Sequence, residues 1–103
     1  MTAAKEEEVF DRLLSDAGAA LRGKRYEDVE ALLRRAMQAD VSRPETFNVL
    51  GVLMEIRRDR LQAQRFYRAA LALDPAYRPA RNNLDRLVGI RKIKTWDLGE
   101  GIE

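Results

Sequence analysis

The strongest constraint on this chain is that it repeats itself. Leu32 to Asp40 and Phe66 to Asp74 run in parallel at a step of 34 residues, sharing Arg34 with Arg68, Ala36 with Ala70 and Asp40 with Asp74. The same step carries Phe47, Leu50, Gly51, Met54, Ala63, Tyr67, Ala70 and Pro75 back to Leu13, Asp16, Ala17, Ala20, Val29, Leu33, Ala36 and Val41. Small and apolar character is kept, and only Asp16 clearly departs from it. Val41 stands in for Pro75, so that boundary is less sharply marked. Carried forward, the pattern reaches Arg81, Leu84, Asp85 and Val88 and then runs into the last residues before a second helix could complete the unit. Two and a half copies are expected, stacked in series because one short unit cannot bury its apolar face alone.

Apolar residues three and four apart resolve this into five helices. The first, about Ala3 to Leu21, buries Phe10, Leu13, Leu14, Ala17, Ala20 and Leu21. The second, about Tyr26 to Ala39, follows a break at Gly23 and buries Val29, Leu32, Leu33 and Ala36. The third spans about Pro44 to Arg57, the fourth about Arg60 to Leu73 with Pro75 as its stop, and the fifth runs from near Pro79 to about Lys94. Capping boxes are expected at Ser42 with Glu45, with Pro44 in that helix's first turn, and at Asp59 with Gln62. Gly51 and Ala63 are small where paired helices cross, and Phe47, Leu50, Tyr67 and Leu71 fill the space around them. Each large side chain so buried contributes about 1.5–3 kcal/mol. Helix five carries one apolar stripe, Leu84, Leu87, Val88 and Ile90, and an arginine-rich remainder, as a terminal capping helix should. The fold class is all-α, an α-α superhelix of antiparallel helix pairs.

The ordered set from Phe47 to Pro75 resembles one tetratricopeptide repeat, with Phe47 at the place of that family's tryptophan and Met54 at that of its tyrosine. The resemblance covers residues 10–94 within a domain at 1–94: repeats at about 10–43 and 44–77, a capping helix at 78–94, and a separate tail at 95–103. It implies a module that binds another protein and catalyses nothing. Some members hold chaperone C-termini in a carboxylate clamp of lysine and asparagine. Here Leu14 and Gly18 stand where the first-repeat lysine and asparagine would be, and Val49 where the second-repeat asparagine would be, so chaperone-tail binding is not expected.

In such a solenoid the first helix of each pair lines the concave face. The repeat step then proposes columns of Leu14, Asn48 and Asn82, of Gly18, Val52 and Arg86, and of Leu21, Glu55 and Gly89. The candidate groove is Leu14, Gly18, Asn48, Val52, Glu55, Asn82 and Arg86. Asn48 and Asn82 interest us most, because a side-chain amide offers donor and acceptor together and suits the backbone of an extended peptide. Gly18 and Gly89 would leave room for it, and Arg86 could meet one acidic group. The expected partner is a peptide or helix of another protein.

Composition narrows the alternatives. The 46% apolar and 35% charged residues suit one domain of amphipathic helices. No cysteine and no histidine are present, which removes disulfides, thiolate metal sites and the commonest general base. Ser15, Ser42 and the threonines lack an activating partner, and Glu6, Glu7 and Glu8 point to different sides of a helix, so neither an enzyme, a metal nor a cofactor is expected. The polar start and the lack of any apolar run near 20 residues argue against a leader or membrane insertion, with the cytoplasm as default.

Arginines crowd two regions, Arg57 to Arg68 and Arg78 to Lys94. Nucleic acid is the competing partner, disfavoured because the aromatic platforms of a single-strand binder are spent in the core. The tail holds the only tryptophan, Trp96, with Leu98 and the acids Asp97, Glu100 and Glu103. It is expected either to fold Trp96 and Leu98 over the edge of helix five, or to act as a short motif taken by a partner or a neighbouring copy; a homodimer is the further alternative, formed through the uncovered end of the stack or through this tail. In both cases its acids would meet the basic clusters of helices four and five.

Overall fold

Two three-residue turns, Gly23–Arg25 and Arg57–Asp59, fold the chain into helical hairpins. A computed structural model describes residues 3–89, 95–99 and 102, and within them five helices: α1 Ala3–Arg22, α2 Tyr26–Ala39, α3 Pro44–Ile56, α4 Arg60–Leu73 and α5 Arg78–Leu87. There is no strand among the described residues. Helix α1 pairs with α2, α3 with α4, and α5 packs on α4 and the edge of α3.

The two turns are copies of one another in geometry. Lys24 and Arg58, 34 residues apart, both adopt a left-handed backbone, with φ of 59° and 63°. Around each, the turn amide bonds the carbonyl three residues back (Lys24 to Leu21, 3.1 Å; Arg58 to Glu55, 2.9 Å), and the next amide bonds five back (Arg25 to Ala20, 2.9 Å; Asp59 to Met54, 2.8 Å). This is the Schellman closure that satisfies the last carbonyls of a helix. The inter-hairpin turns also match: Asp40 Oδ1 accepts from the Ser42 amide at 2.9 Å, as Asp74 Oδ1 does from the Ala76 amide at 3.0 Å. These paired Asx turns give the shared Asp40 and Asp74 a physical reason. The Ser42 bonds hold the Asp40 carboxyl below the usual carboxylate range.

Of the two expected capping boxes, Asp59 caps α4 by accepting the Gln62 amide at 3.1 Å. The box at Ser42 does not form. The Ser42 hydroxyl donates to Asp40 at 2.6 Å, and the Glu45 carboxylate is taken by the Arg43 guanidinium at 2.6 Å, a charge-assisted bond stronger than one to a neutral amide. Arg43 also lies 4.3 Å from the centroid of the Phe10 ring and 3.5 Å from Asp11, tying α1 to the start of α3.

The core is continuous through the stack. Phe10, Ala17, Val29, Leu33, Ala36, Val49, Val52, Leu53, Ala63, Tyr67, Ala70 and Ala80 are fully enclosed. Asp16, the departure from the pattern, is exposed, so its charge costs the core nothing. Phe47 stacks on Phe66 with centroids 6.4 Å apart. Gly51 is where α3 meets α4: a Cβ there would lie 2.6 Å from Cδ1 of the Tyr67 ring. Helix α5 is shorter than expected, ending at Leu87, with Val88 as its cap and Gly89 beyond it at φ 83°. Leu84 and Leu87 are buried, but Val88 is exposed because it lies past the last helical residue, and Ile90 and the expected extension to Lys94 lie outside the described residues.

Substituting Gly51→Ala drives a methyl into the Tyr67 ring and is expected to destabilise by about 1–3 kcal/mol. Lys24→Gly and Arg58→Gly relieve the left-handed backbone and should each stabilise, by up to about 1 kcal/mol. Urea unfolding followed by circular dichroism measures all three. A neutral Gly51→Ala would show that the α3–α4 crossing is looser than described.

Candidate functional site

The inner edges of α1, α3 and α5 share one face, and across it lies the chain's own tail. The site is built from two buried amides. Asn48 on α3 and Asn83 on α5 are 0% and 1% exposed, and Asn83 Nδ2 donates to Asn48 Oδ1 at 2.9 Å. Buried amides must have their donors and acceptors satisfied, at a cost of about 1–3 kcal/mol for each group left unpaired. The remaining valences are met by the backbone of Asp97. Asn83 donates to the Asp97 carbonyl at 2.7 Å and accepts the Asp97 amide at 2.8 Å, pairing that residue as an adjacent strand would. Asn48 Nδ2 donates to the same carbonyl at 2.8 Å. The Asp97 side chain is held as well, with Oδ2 accepting from Asn82 Nδ2 at 3.0 Å and Oδ1 accepting from the Gly99 amide at 3.0 Å.

Further along the tail the fit is steric. Gly99 has φ 89°, and a Cβ on it would lie 2.9 Å from the Tyr77 hydroxyl and 3.4 Å from Pro79 Cγ. Both the conformation and the space exclude a side chain. Ile102 is 2% exposed against α1, where a Cβ on Gly18 would sit 2.6 Å from its Cγ2. Arg22 Nη1 donates to the Ile102 carbonyl at 2.5 Å. Gly18 is therefore a seat for this isoleucine.

The expected groove residues divide into three groups. Asn48, Asn82 and Gly18 touch the tail directly. Leu14 and Val52 are buried, 5% and 0% exposed, as members of the core. Glu55 and Arg86 are occupied with each other: Arg86 Nη1 and Nη2 bind Glu55 Oε1 and Oε2 at 2.8 and 2.5 Å, and the Tyr67 hydroxyl donates to the same carboxylate. Arg86 thus bridges α5 to α3, and this bond to Glu55 raises its pKa. Gly89 ends α5, and a Cβ there would meet nothing within 4 Å. Other arginines are used in the same way, Arg57 on Glu30 and Arg60 on the Leu87 carbonyl at 2.8 Å.

The tail differs from the expectation in two respects. Trp96 is 46% exposed, and Ile102, with half-buried Leu98, fills the apolar part of the seat. Asp97 meets amides and no basic side chain among the described residues, because α5 presents asparagine on this face and turns its arginines to solvent or to Glu55; Glu100 and Glu103 lie outside the described residues. Asn83 is the tail-binding residue that the repeat step misses, since that step pairs Asn48 with Asn82. Counting from the proline in each helix's first turn finds it: Asn48 follows Pro44, and Asn83 follows Pro79, by four residues.

Comparison with protein-family models, with curated proteins and with solved structures finds no match. Among the described residues, no three acidic side chains converge as a metal site would need, and no helix is long and apolar enough to cross a membrane.

Asn83→Ala should destabilise by about 1–3 kcal/mol, and adding Asn48→Ala should cost less than the sum of the two, since each amide satisfies the other. Strict additivity in urea unfolding would show that the two do not act as a unit. Burial, and then the bond to Glu55, raise the Tyr67 phenol above its ordinary value. The folded chain therefore holds that proton more tightly than the unfolded one, so the contribution to stability is full below about pH 10 and is lost as pH rises beyond it. Tyr67→Phe should lose less melting temperature than the parent between about pH 9 and 11. Tyr77 is shifted the same way by burial and keeps part of the loss.

Proposed function

We propose that this chain is a protein–protein interaction module of tetratricopeptide type, whose face between α1, α3 and α5 holds a non-helical segment of a partner protein. One observation carries the reading: Asn83 and Asn48 bind the amide and carbonyl of Asp97, groups that every non-proline residue possesses. A site that grips main chain is suited to polypeptide, and the depth at Gly18 adds a place for one aliphatic side chain. With the face empty the two amides would keep their bond to each other and exchange those to Asp97 for water, so what the site adds is a set of donors and acceptors fixed in register for a main chain.

Selection of displayed random peptides on the full chain tests this, run in parallel on Ile102→Asp, which weakens the tail's own hold. Enriched peptides are expected to bind Asn83→Ala at least about tenfold more weakly, the loss of roughly one buried hydrogen-bonded clamp. Peptides that bind Asn83→Ala equally well, or no enrichment on either chain, would overturn the assignment.

A further inference from the structure

Resting on that reading of the groove, we propose that its ligand is a partner segment with the chemistry Asp-Xaa-Gly followed, three residues after the glycine, by an aliphatic residue, and that the chain's own tail occupies the site as a competing copy of that ligand. The contacts with the tail define a specificity that main-chain pairing alone does not supply. At the first position both carboxylate oxygens are used, one by Asn82 and one by the Gly99 amide. The second contact is a turn closed within the ligand itself, and a glutamate would place its carboxylate one methylene too far out to close it. At the third position the left-handed backbone and the Tyr77 hydroxyl leave room only for glycine. At the sixth position an aliphatic side chain fits against Gly18, and Arg22 holds the carbonyl of that residue. The residue between aspartate and glycine is read loosely, since Leu98 is only half-buried, and the one preceding aspartate is open to solvent, as Trp96 is.

The tail is also an incomplete ligand. The Tyr77 hydroxyl is enclosed beside Gly99 and near the Asn48 amide, but no hydrogen bond of full geometry satisfies it among the described residues. A partner segment offering an acceptor there gains a bond that the tail does not make. Such a gain is needed, because a tethered tail competes at an effective concentration on the order of millimolar. The groove is therefore closed to weak peptides and opened by one that binds better than the tail.

The test uses the full chain and a labelled peptide of the sequence Thr95 to Glu103. In the chain, Asp97→Ala combined with Ile102→Asp frees the groove without altering the residues that line it. Fluorescence anisotropy should show the peptide binding this opened chain at least about tenfold more tightly than the parent, whose site is filled. Binding should be lost when Asn83→Ala is added to the opened chain, and also when the peptide carries Asp97→Ala or Gly99→Ala. Equal binding by parent and opened chain overturns the competition, and indifference to the peptide's aspartate or glycine overturns the ligand class. An opened chain that unfolds, judged by circular dichroism, and is not refolded by the peptide makes the tail a part of the core and overturns the proposal. So does a parent whose mass doubles with concentration through exchanged tails, because a second copy is then the occupant. Should the peptide fail while displayed peptides of other sequence still depend on Asn83, the groove stands and only this ligand class falls.

Discussion

The left-handed residue that closes each hairpin is the constraint from which the architecture follows. With Lys24 and Arg58 holding φ near 60°, each second helix is returned antiparallel against the first within three residues, leaving no slack in where the pair must cross. In the second hairpin that crossing falls at Gly51, whose missing side chain admits the Tyr67 ring. Tyr67 then reaches Glu55 with its hydroxyl, and Glu55 in turn fixes Arg86 on α5. One turn geometry thus propagates through a glycine, a phenol and an ion pair to the helix that carries Asn82 and Asn83. A bidentate arginine–carboxylate pair that is mostly enclosed suits this task because its geometry is fixed, whatever its net energy.

The helices were legible in the sequence because their signals are local. Apolar spacing and the Gly and Pro boundaries place α2 and α4 to the residue, and the step of 34 residues recurs in the turn geometry of both hairpins. The Ser42 box failed for an equally local reason, since Arg43 offers Glu45 a better partner than a backbone amide. The groove was legible in part. Asn48, Asn82 and Gly18 come from the period, whereas Leu14 and Val52 face inward because a column on a helix fixes position along the stack and not depth. Asn83 lay beyond the period because helix α5 is in a different register, with its proline 35 residues from the earlier one. Nothing local in Thr95 to Gly99 announces that it lies on α3 and α5, for its partners are between 14 and 49 residues away.

A stack of two helix pairs and a single fifth helix leaves apolar surface at its ends, and burying tryptophan and leucine there would be the direct remedy. The tail does something else. It leaves Trp96 46% exposed and spends its best contacts on the side-chain amides of Asn48, Asn82 and Asn83. Hydrogen bonds of this kind add little net stability in exchange for their bonds to water, yet they discriminate strongly against a segment that leaves them unmade. A cover chosen for stability alone would invert that balance.

The same reasoning explains why the two buried asparagines sit side by side. A lone amide on this face could be replaced by an apolar residue at little cost, because one satisfied pair and one apolar contact are close in net energy. Two amides bonded to each other cannot be replaced singly: removing Asn83 leaves Asn48 Oδ1 and the Asp97 amide without their partner at once and takes one of the two donors from the Asp97 carbonyl. The pair therefore behaves as a single element that is complete only when a main chain lies in register across it. A small fold gains from this a face whose occupied state is sharply defined, which is the property a recognition surface requires and a passive cap does not.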